Sequence, residues 1–182
     1  MNYQAIAFFD LDGTLLNEHS QITPEVSQAM LQLKENNVLP VIATGRTEIE
    51  ILAIRQAAHI DSNIVMNGAF IRADGNEVYS DLIDEALIER MYHSILDKGD
   101  QLSYYNEGNI WCTGHSRALV GAYNSIHSKV PPIEPEAFRH NPINMLLVLG
   151  TEYRDYYEET FPEFDFYRNT PYSMDTVKKG TN

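Results

Sequence analysis

The sequence predicts an α/β protein, with a parallel-sheet core over roughly the first 80 residues and a separate α+β domain after it. Three features point this way. Short apolar runs at Ala5 to Phe9, Val38 to Ala43 and Ile64 to Met66 each stop at a polar residue with glycine close behind. The segments between them carry helix signals. From about Ile83 the pattern changes to a helix followed by paired strands.

Ala5 to Phe9 is nearly continuous in apolar residues, as expected of a strand buried on both faces of a parallel sheet. Thr23-Pro24 reads as N-cap and first-turn proline for a helix with Val26, Met30 and Leu33 on one face, closed by Asn36-Asn37. Pro40 belongs near the start of the second strand, because proline donates nothing to a ladder. Thr47 to Glu50 forms a capping box for a helix whose apolar face is Ile51, Ile54, Ala57 and Ala58.

In the second region Asp84 caps a helix with Ile88, Met91, Tyr92 and Ile95, ending at Lys98-Gly99. Leu102 to Tyr105 and Ile110 to Thr113 flank a turn at Asn106 to Asn109. Ser116 opens a helix with Leu119, Val120, Tyr123 and Ile126, and a proline-rich loop runs from Pro131 to Pro135. A strand at Ile143 to Leu149, a helix at Thr151 to Phe161, and strands at Phe164 to Tyr167 and Tyr172 to Val177 around Asn169-Thr170-Pro171 complete the order αββαβαββ. No repeat or low-complexity segment interrupts the chain.

Composition excludes several classes. The 182 residues carry 13 Lys+Arg against 26 Asp+Glu, a net charge of −13, which disfavours nucleic acid and anionic membrane surfaces as partners. A single cysteine, Cys112, forms no intramolecular disulfide, and the six histidines show no zinc spacing. Cys112 has no basic neighbour in sequence to activate it and reads as a buried thiol. The opening residues, Met-Asn-Tyr-Gln-Ala, show no basic n-region, and the longest apolar run, Met145 to Leu149, is far short of a bilayer span. A soluble, cytoplasmic protein is expected.

Parallel sheets bind ligands beyond the carboxyl ends of their strands, so Asp10, Thr44 and Asn67 form the candidate site. The most informative stretch is Asp10-Leu11-Asp12-Gly13-Thr14. Two carboxylates at i and i+2 on extended backbone point the same way, and Gly13 lets the chain turn closely around a reacting group. The plain alternative is a strand end with an Asp-Gly turn. Chance occurrence of the pattern in a chain this long is on the order of 10⁻⁴ to 10⁻³.

With Ala43-Thr44-Gly45-Arg46 and Asn67-Gly68-Ala69 added, the sequence resembles the haloacid dehalogenase-like phosphatases, specifically the Cof-type class with a large α/β cap. The resemblance implies a Rossmann-like core over 1–82, a cap over 83–177 and the start of a return linker at 178–182. It implies Asp10 as a nucleophile forming an aspartyl-phosphate, and Asp12 as the acid that protonates the leaving group and then the base that activates water. The Thr44 hydroxyl and main-chain N–H groups near Leu11 and Gly45 would hold phosphoryl oxygens. Asn67 and Gly68 would line the same pocket. Arg46 would contact phosphate or the closing cap, or be an exposed residue at a helix start.

Charge makes a cation necessary: each pair of unit charges about 4 Å apart repels by roughly 4 kcal/mol at an effective dielectric of 20. Mg²⁺ suits an Asp10 carboxylate oxygen, the Asp12 carbonyl, a phosphate oxygen and waters. The implied partner is a small phosphorylated metabolite, a sugar phosphate or phosphorylated cofactor, with oligomeric state left open. In this class the cap covers the active site and selects the substrate, so Tyr104, Asn106, Trp111 and Arg168 are candidates for specificity, each weighed against a purely structural role.

The family's later lysine and its Gly-Asp-x-x-Asn-Asp loop are not found, and Lys178 and Lys179 read as linker lysines, with Lys179 the substitute in a different register. The chain is therefore read as a fragment or truncated product, expected to bind Mg²⁺ weakly and to turn over poorly. The alternatives are a non-catalytic fragment or interaction module that keeps the fold and, less strongly, a phosphomutase or phosphotransferase.

Overall fold

A computed structural model describes residues 3–125, 128–150 and 152–181. Ile126, Thr151 and Asn182, which figure in the expectations above, lie outside the described residues. The chain divides into two compact units, Met1–Ser80 and Asp81–Asn182. Among the described residues no helix is long and apolar enough to cross a membrane.

The first unit is a five-stranded sheet in the order β1 (Ala5–Phe9), β2 (Val38–Ala43), β3 (Ser62–Val65), β4 (Phe70–Ala73), β5 (Asn76–Ser80). β1, β2 and β3 are parallel, while β4 and β5 form an antiparallel hairpin that the sequence reading omitted. Its turn is Asp74-Gly75, with φ of 48° and 80°, the backbone that a two-residue hairpin needs. The Asp74 N–H donates to Ser62 Oγ and the Gly75 N–H to the Asp61 carbonyl, tying the tip to the start of β3.

Helix α1 (Pro24–Glu35) starts as expected, with Thr23 accepting from the Val26 N–H, and α2 (Glu48–Ala58) realises the full capping box between Thr47 and Glu50. Ile51, Ile54 and Ala58 of α2 are buried, whereas Ala57 is exposed, one step off the apolar stripe. Pro40 lies within β2 at no penalty, because β3 pairs with β2 only from Val41 onward.

Strand register places Phe9, Ile42, Asn63 and Arg72 in one row across the sheet. Arg72 binds Glu48 of α2, so this row faces the helices. Ile6 and Phe8 point to the other face and are 56% and 60% exposed. Burial of β1 on both faces is thus corrected: β1 is an edge strand, and neither helix covers its second face.

The second unit is an antiparallel sheet in the order β7 (Ile110–Cys112), β6 (Gln101–Tyr105), β8 (Met145–Leu149), β10 (Ser173–Lys178), β9 (Phe164–Thr170). With α3 (Glu85–Lys98), α4 (Arg117–Ser125) and α5 (Arg154–Thr160) it follows the expected order αββαβαββ. Asp84 caps α3 through the Ala86 N–H, and Gly99 ends it at φ 75°. Ile88, Met91 and Ile95 of α3 then pack on Leu102, Tyr104, Leu146, Val148 and Met174.

Most boundaries in this unit shift by one to three residues from expectation, and the shifts at the last hairpin change how its residues are read. Thr170 remains in β9, so the turn narrows to Pro171-Tyr172. Lys178 closes β10, not a linker, with its ammonium paired to the Asp81 carboxylate.

Candidate active site

The site is built on the carboxyl ends of β1, β2 and β3. Phe9 pairs with Ile42, and Ala43 with Ile64, so Asp10 and Thr44 leave neighbouring strands at the same edge of the sheet. Asp10 has extended backbone, its side chain is exposed, and its carboxylate makes no hydrogen bond or ion pair among the described residues.

The chain then turns sharply. Asp12 (φ −76°, ψ 113°) and Gly13 (φ 80°, ψ 4°) have the dihedrals of a type II turn, which requires the positive φ that glycine supplies. Fully buried Leu11 anchors the turn, and its carbonyl accepts from the Leu16 N–H at 3.0 Å.

The second loop is pinned to the third strand by the Thr44 N–H, which donates to the Ile64 carbonyl at 3.0 Å. The Thr44 hydroxyl oxygen accepts from the Arg46 N–H at 3.2 Å, leaving its own proton to donate elsewhere. Gly45 lies between them. In the third loop Met66, Asn67 and Gly68 have φ of 52°, 52° and 95°, a run that only a constrained loop sustains. The expected strand through Met66 therefore ends at Val65. Met66 donates its N–H to the Arg46 carbonyl at 3.0 Å, and its own carbonyl accepts from the Ala69 N–H.

Arg46 is the residue whose place the sequence did not reveal. Its guanidinium forks onto Asp12, with Nε 3.0 Å from Oδ2 and a terminal nitrogen 2.6 Å from Oδ1. The Arg46 side chain is only 19% exposed, against 59% for Asp12, so it is not a loose residue at a helix start. Just beyond it Glu48 is held between Arg55 at 2.7 Å and Arg72 at 2.9 Å, bracing α2 against β4.

As possible metal donors the loops offer the Asp10 carboxylate and the Asp12 carbonyl. Among the described residues no group of three or more His, Cys, Asp or Glu side chains could hold a metal ion.

In the second unit, Tyr104 is fully buried and donates to the Pro135 carbonyl at 2.8 Å, and burial pushes its phenol up. Trp111 is buried. Asn106 accepts from the Gly108 and Asn109 N–H groups and donates to the Pro142 carbonyl, which makes it the staple of its turn. Arg168 is exposed and makes long contacts to the Thr170 and Pro171 carbonyls. Cys112 is buried, and burial pushes its thiol up. The Lys179 N–H donates to the Glu163 carbonyl, and its side chain is exposed.

The family described as haloacid dehalogenase-like hydrolase matches residues 7–182. An HMP-PP phosphatase of Citrobacter koseri is 28% identical over 134 residues, 71% of this chain and 49% of that protein. One of Klebsiella pneumoniae is 33% identical over 115 residues, 62% of this chain and 42% of that protein. The chain thus spans about half the length of these named relatives. A hypothetical protein of Geobacillus kaustophilus superposes with a TM-score of 0.90 at 26% identity, covering 98% of this chain and 70% of that one. A subclass IIB sugar phosphatase superposes with a TM-score of 0.81 at 25% identity, covering 98% of this chain and 71% of that one. Motif, strand order and family match agree along nearly the whole sequence: the chain belongs to the haloacid dehalogenase-like hydrolases.

Proposed function

We propose that this chain carries the nucleophile half of a Mg²⁺-dependent phosphatase acting on a small phosphorylated metabolite. The observation that carries the reading is the exposed Asp10 carboxylate, unpartnered among the described residues, at the same sheet edge as the Asp12 turn and the Thr44 hydroxyl. The names of the relatives, HMP-PP phosphatase and sugar phosphatase, support a phosphorylated cofactor or a sugar phosphate as substrate class.

In the first step an Asp10 carboxylate oxygen attacks phosphorus in line. The ester P–O bond breaks as Asp12 gives its proton to the departing alkoxide, leaving an aspartyl-phosphate. Asp12 then takes a proton from water, whose oxygen attacks phosphorus. The bond to Asp10 breaks, and inorganic phosphate leaves. Thr44 and the main-chain N–H groups at Leu11 and Gly45 hold the phosphoryl oxygens throughout, with Asn67 and Gly68 lining the pocket.

Asp10 and the Asp12 carbonyl are hard oxygen donors that fit Mg²⁺, and among the described residues no other group competes for the Asp10 carboxylate. When bound, the ion offsets the repulsion between phosphate and carboxylates.

The test is hydrolysis of p-nitrophenyl phosphate by this chain beside Asp10→Asn. Slow turnover that needs both Mg²⁺ and Asp10 is expected, with Asp12→Asn lowering hydrolysis of an alkyl phosphate by roughly 10² to 10⁴. Turnover that survives Asp10→Asn or EDTA would overturn the reading. The second reading, a module that keeps the fold without turnover, is favoured by the lack of a three-acid metal cluster among the described residues. Folded protein with no hydrolysis would select it.

A further inference from the structure

We propose that Arg46 is a positioning residue that assembles the three loops and holds Asp12 in its working orientation. The inference rests on the phosphatase reading above. Four hydrogen bonds of this one residue reach the three strand ends. Its side chain forks onto Asp12 of the first loop, its N–H donates to Thr44 of the second, and its carbonyl accepts from Met66 at the end of the third strand.

Arg46 is itself fixed from its C-terminal side. Thr47 and Glu50 close the capping box, and Glu48 is gripped by Arg55 and Arg72. Asp12 is the more exposed partner, 59% against 19%, and sits on a turn whose buried side chains, Leu11 and Leu15, do not hold its carboxylate. Removing the guanidinium therefore frees the carboxylate, whereas removing the carboxylate leaves the Arg46 main-chain bonds in place.

The fork does not block chemistry at Asp12. Each carboxylate oxygen has two lone-pair directions, and Arg46 uses one on each oxygen. The remaining direction on each stays open for a proton given or taken. Arg46 thus acts through Asp12, on which its guanidinium is spent, and not as a cation that binds the phosphate directly. A lysine has one compact charge and no planar fork, so it cannot fix both oxygens at once.

The test compares wild type, Arg46→Lys and Arg46→Met in two ways. The first is the Asp12 side-chain rotamer, read from its Hα–Hβ couplings by NMR without any turnover. A single rotamer is expected in wild type, averaging in Arg46→Met, and partial averaging in Arg46→Lys.

The second is kcat/KM for an alkyl phosphate, whose leaving group needs a proton, against p-nitrophenyl phosphate, whose leaving group does not. Arg46→Met should lose on the order of 10²-fold on the alkyl ester, as for a misplaced catalytic group, and far less on the aryl ester. KM for the alkyl ester should change little, and added guanidinium ion should restore part of the alkyl activity of Arg46→Ala.

An Asp12 rotamer that stays single in Arg46→Met overturns the proposal. So does an equal loss on both esters that falls on KM, which marks a phosphate contact. If wild type hydrolyses neither ester, the phosphatase reading fails, while the rotamer still decides whether Arg46 holds Asp12. Should Arg46→Met not fold, Arg46→Lys provides the same comparison.

Discussion

Glu48 is where the stability of the site's scaffold is most exposed to a single change. Its carboxylate is 7% exposed and takes Arg55 on one oxygen and Arg72 on the other, at 2.7 and 2.9 Å. Glu48→Ala removes two charge-assisted hydrogen bonds, each contributing roughly 1.5 to 3 kcal/mol. It also leaves two partly buried guanidinium groups, 13% and 24% exposed, without their counter-charge.

Removing one partner of a buried ion cluster costs about 3 to 5 kcal/mol, and the residual exposure of the arginines places this case near 3. Against a domain stability of about 5 to 15 kcal/mol, that is a large fraction. With a urea m-value of about 1 to 3 kcal/mol/M, the midpoint followed by far-UV circular dichroism should fall by about 1 M or more. Fluorescence of Trp111, the single tryptophan, reports the second unit separately. The shift should persist in 1 M NaCl, where an exposed ion pair would be screened. A shift below about 0.3 M, or one abolished by salt, would refute the claim that this cluster braces α2 against β4.

Gly13→Ala should cost about 1 to 2 kcal/mol in a thermal melt from backbone strain alone, because φ is +80° and an added Cβ meets nothing within 4 Å; a neutral result would mean that the Asp12 turn is not held as described. Asp100 is raised mainly by burial, with the Tyr157 hydroxyl opposing and Glu152 adding, so the folded state binds more protons than the unfolded chain between 3.8 and the raised value, and this group's contribution falls as pH rises through that window. Asp100→Asn, which still accepts from Tyr157, should therefore raise Tm at pH 7 and lose that advantage below 3.8; a penalty equal at all pH values would contradict the assignment. Phe8→Ser should change stability by no more than about 0.5 kcal/mol, while Ile42→Ala, at a fully buried position, should cost about 2 to 5 kcal/mol; comparable losses would show that the second face of β1 is covered.

What the sequence revealed was what depends on local chemistry. Thr23-Pro24, the Thr47 to Glu50 capping box and Gly99 act within a few residues of themselves, and their helices begin or end there. The hairpin at β4 and β5 is equally legible, since Asp74-Gly75 between Phe70-Ile71 and Val78-Tyr79 is a strong two-residue turn signal. The exposure of β1 was not legible. Ala-Ile-Ala-Phe-Phe reads the same whether one face of the sheet is covered or both, because burial depends on which layers are present. The clasp between Arg46 and Asp12 joins residues 34 apart, and no spacing rule links a loop after one strand to a loop after the next.

The distribution of unused bonding capacity separates the two units. At the strand ends of the first, Asp10 has no side-chain partner among the described residues, Asp12 keeps open lone pairs beyond its fork, and Thr44 keeps a hydroxyl proton. Groups left that way on constrained loops are available to a ligand without breaking anything that holds the fold. In the second unit the opposite holds for two of the four specificity candidates, and a third is buried. Tyr104 donates its phenol proton to Pro135, Asn106 holds its turn with both amide atoms, and Trp111 is buried. Substituting any of them would change the packing before it changed recognition. Arg168 alone among them combines exposure with contacts as long as 3.3 and 3.4 Å, which a bound anion could replace at small cost. On the proposed phosphatase reading, selectivity carried by this unit would rest on side chains like Arg168, whose removal leaves the sheet intact, and not on the aromatic residues Tyr104 and Trp111.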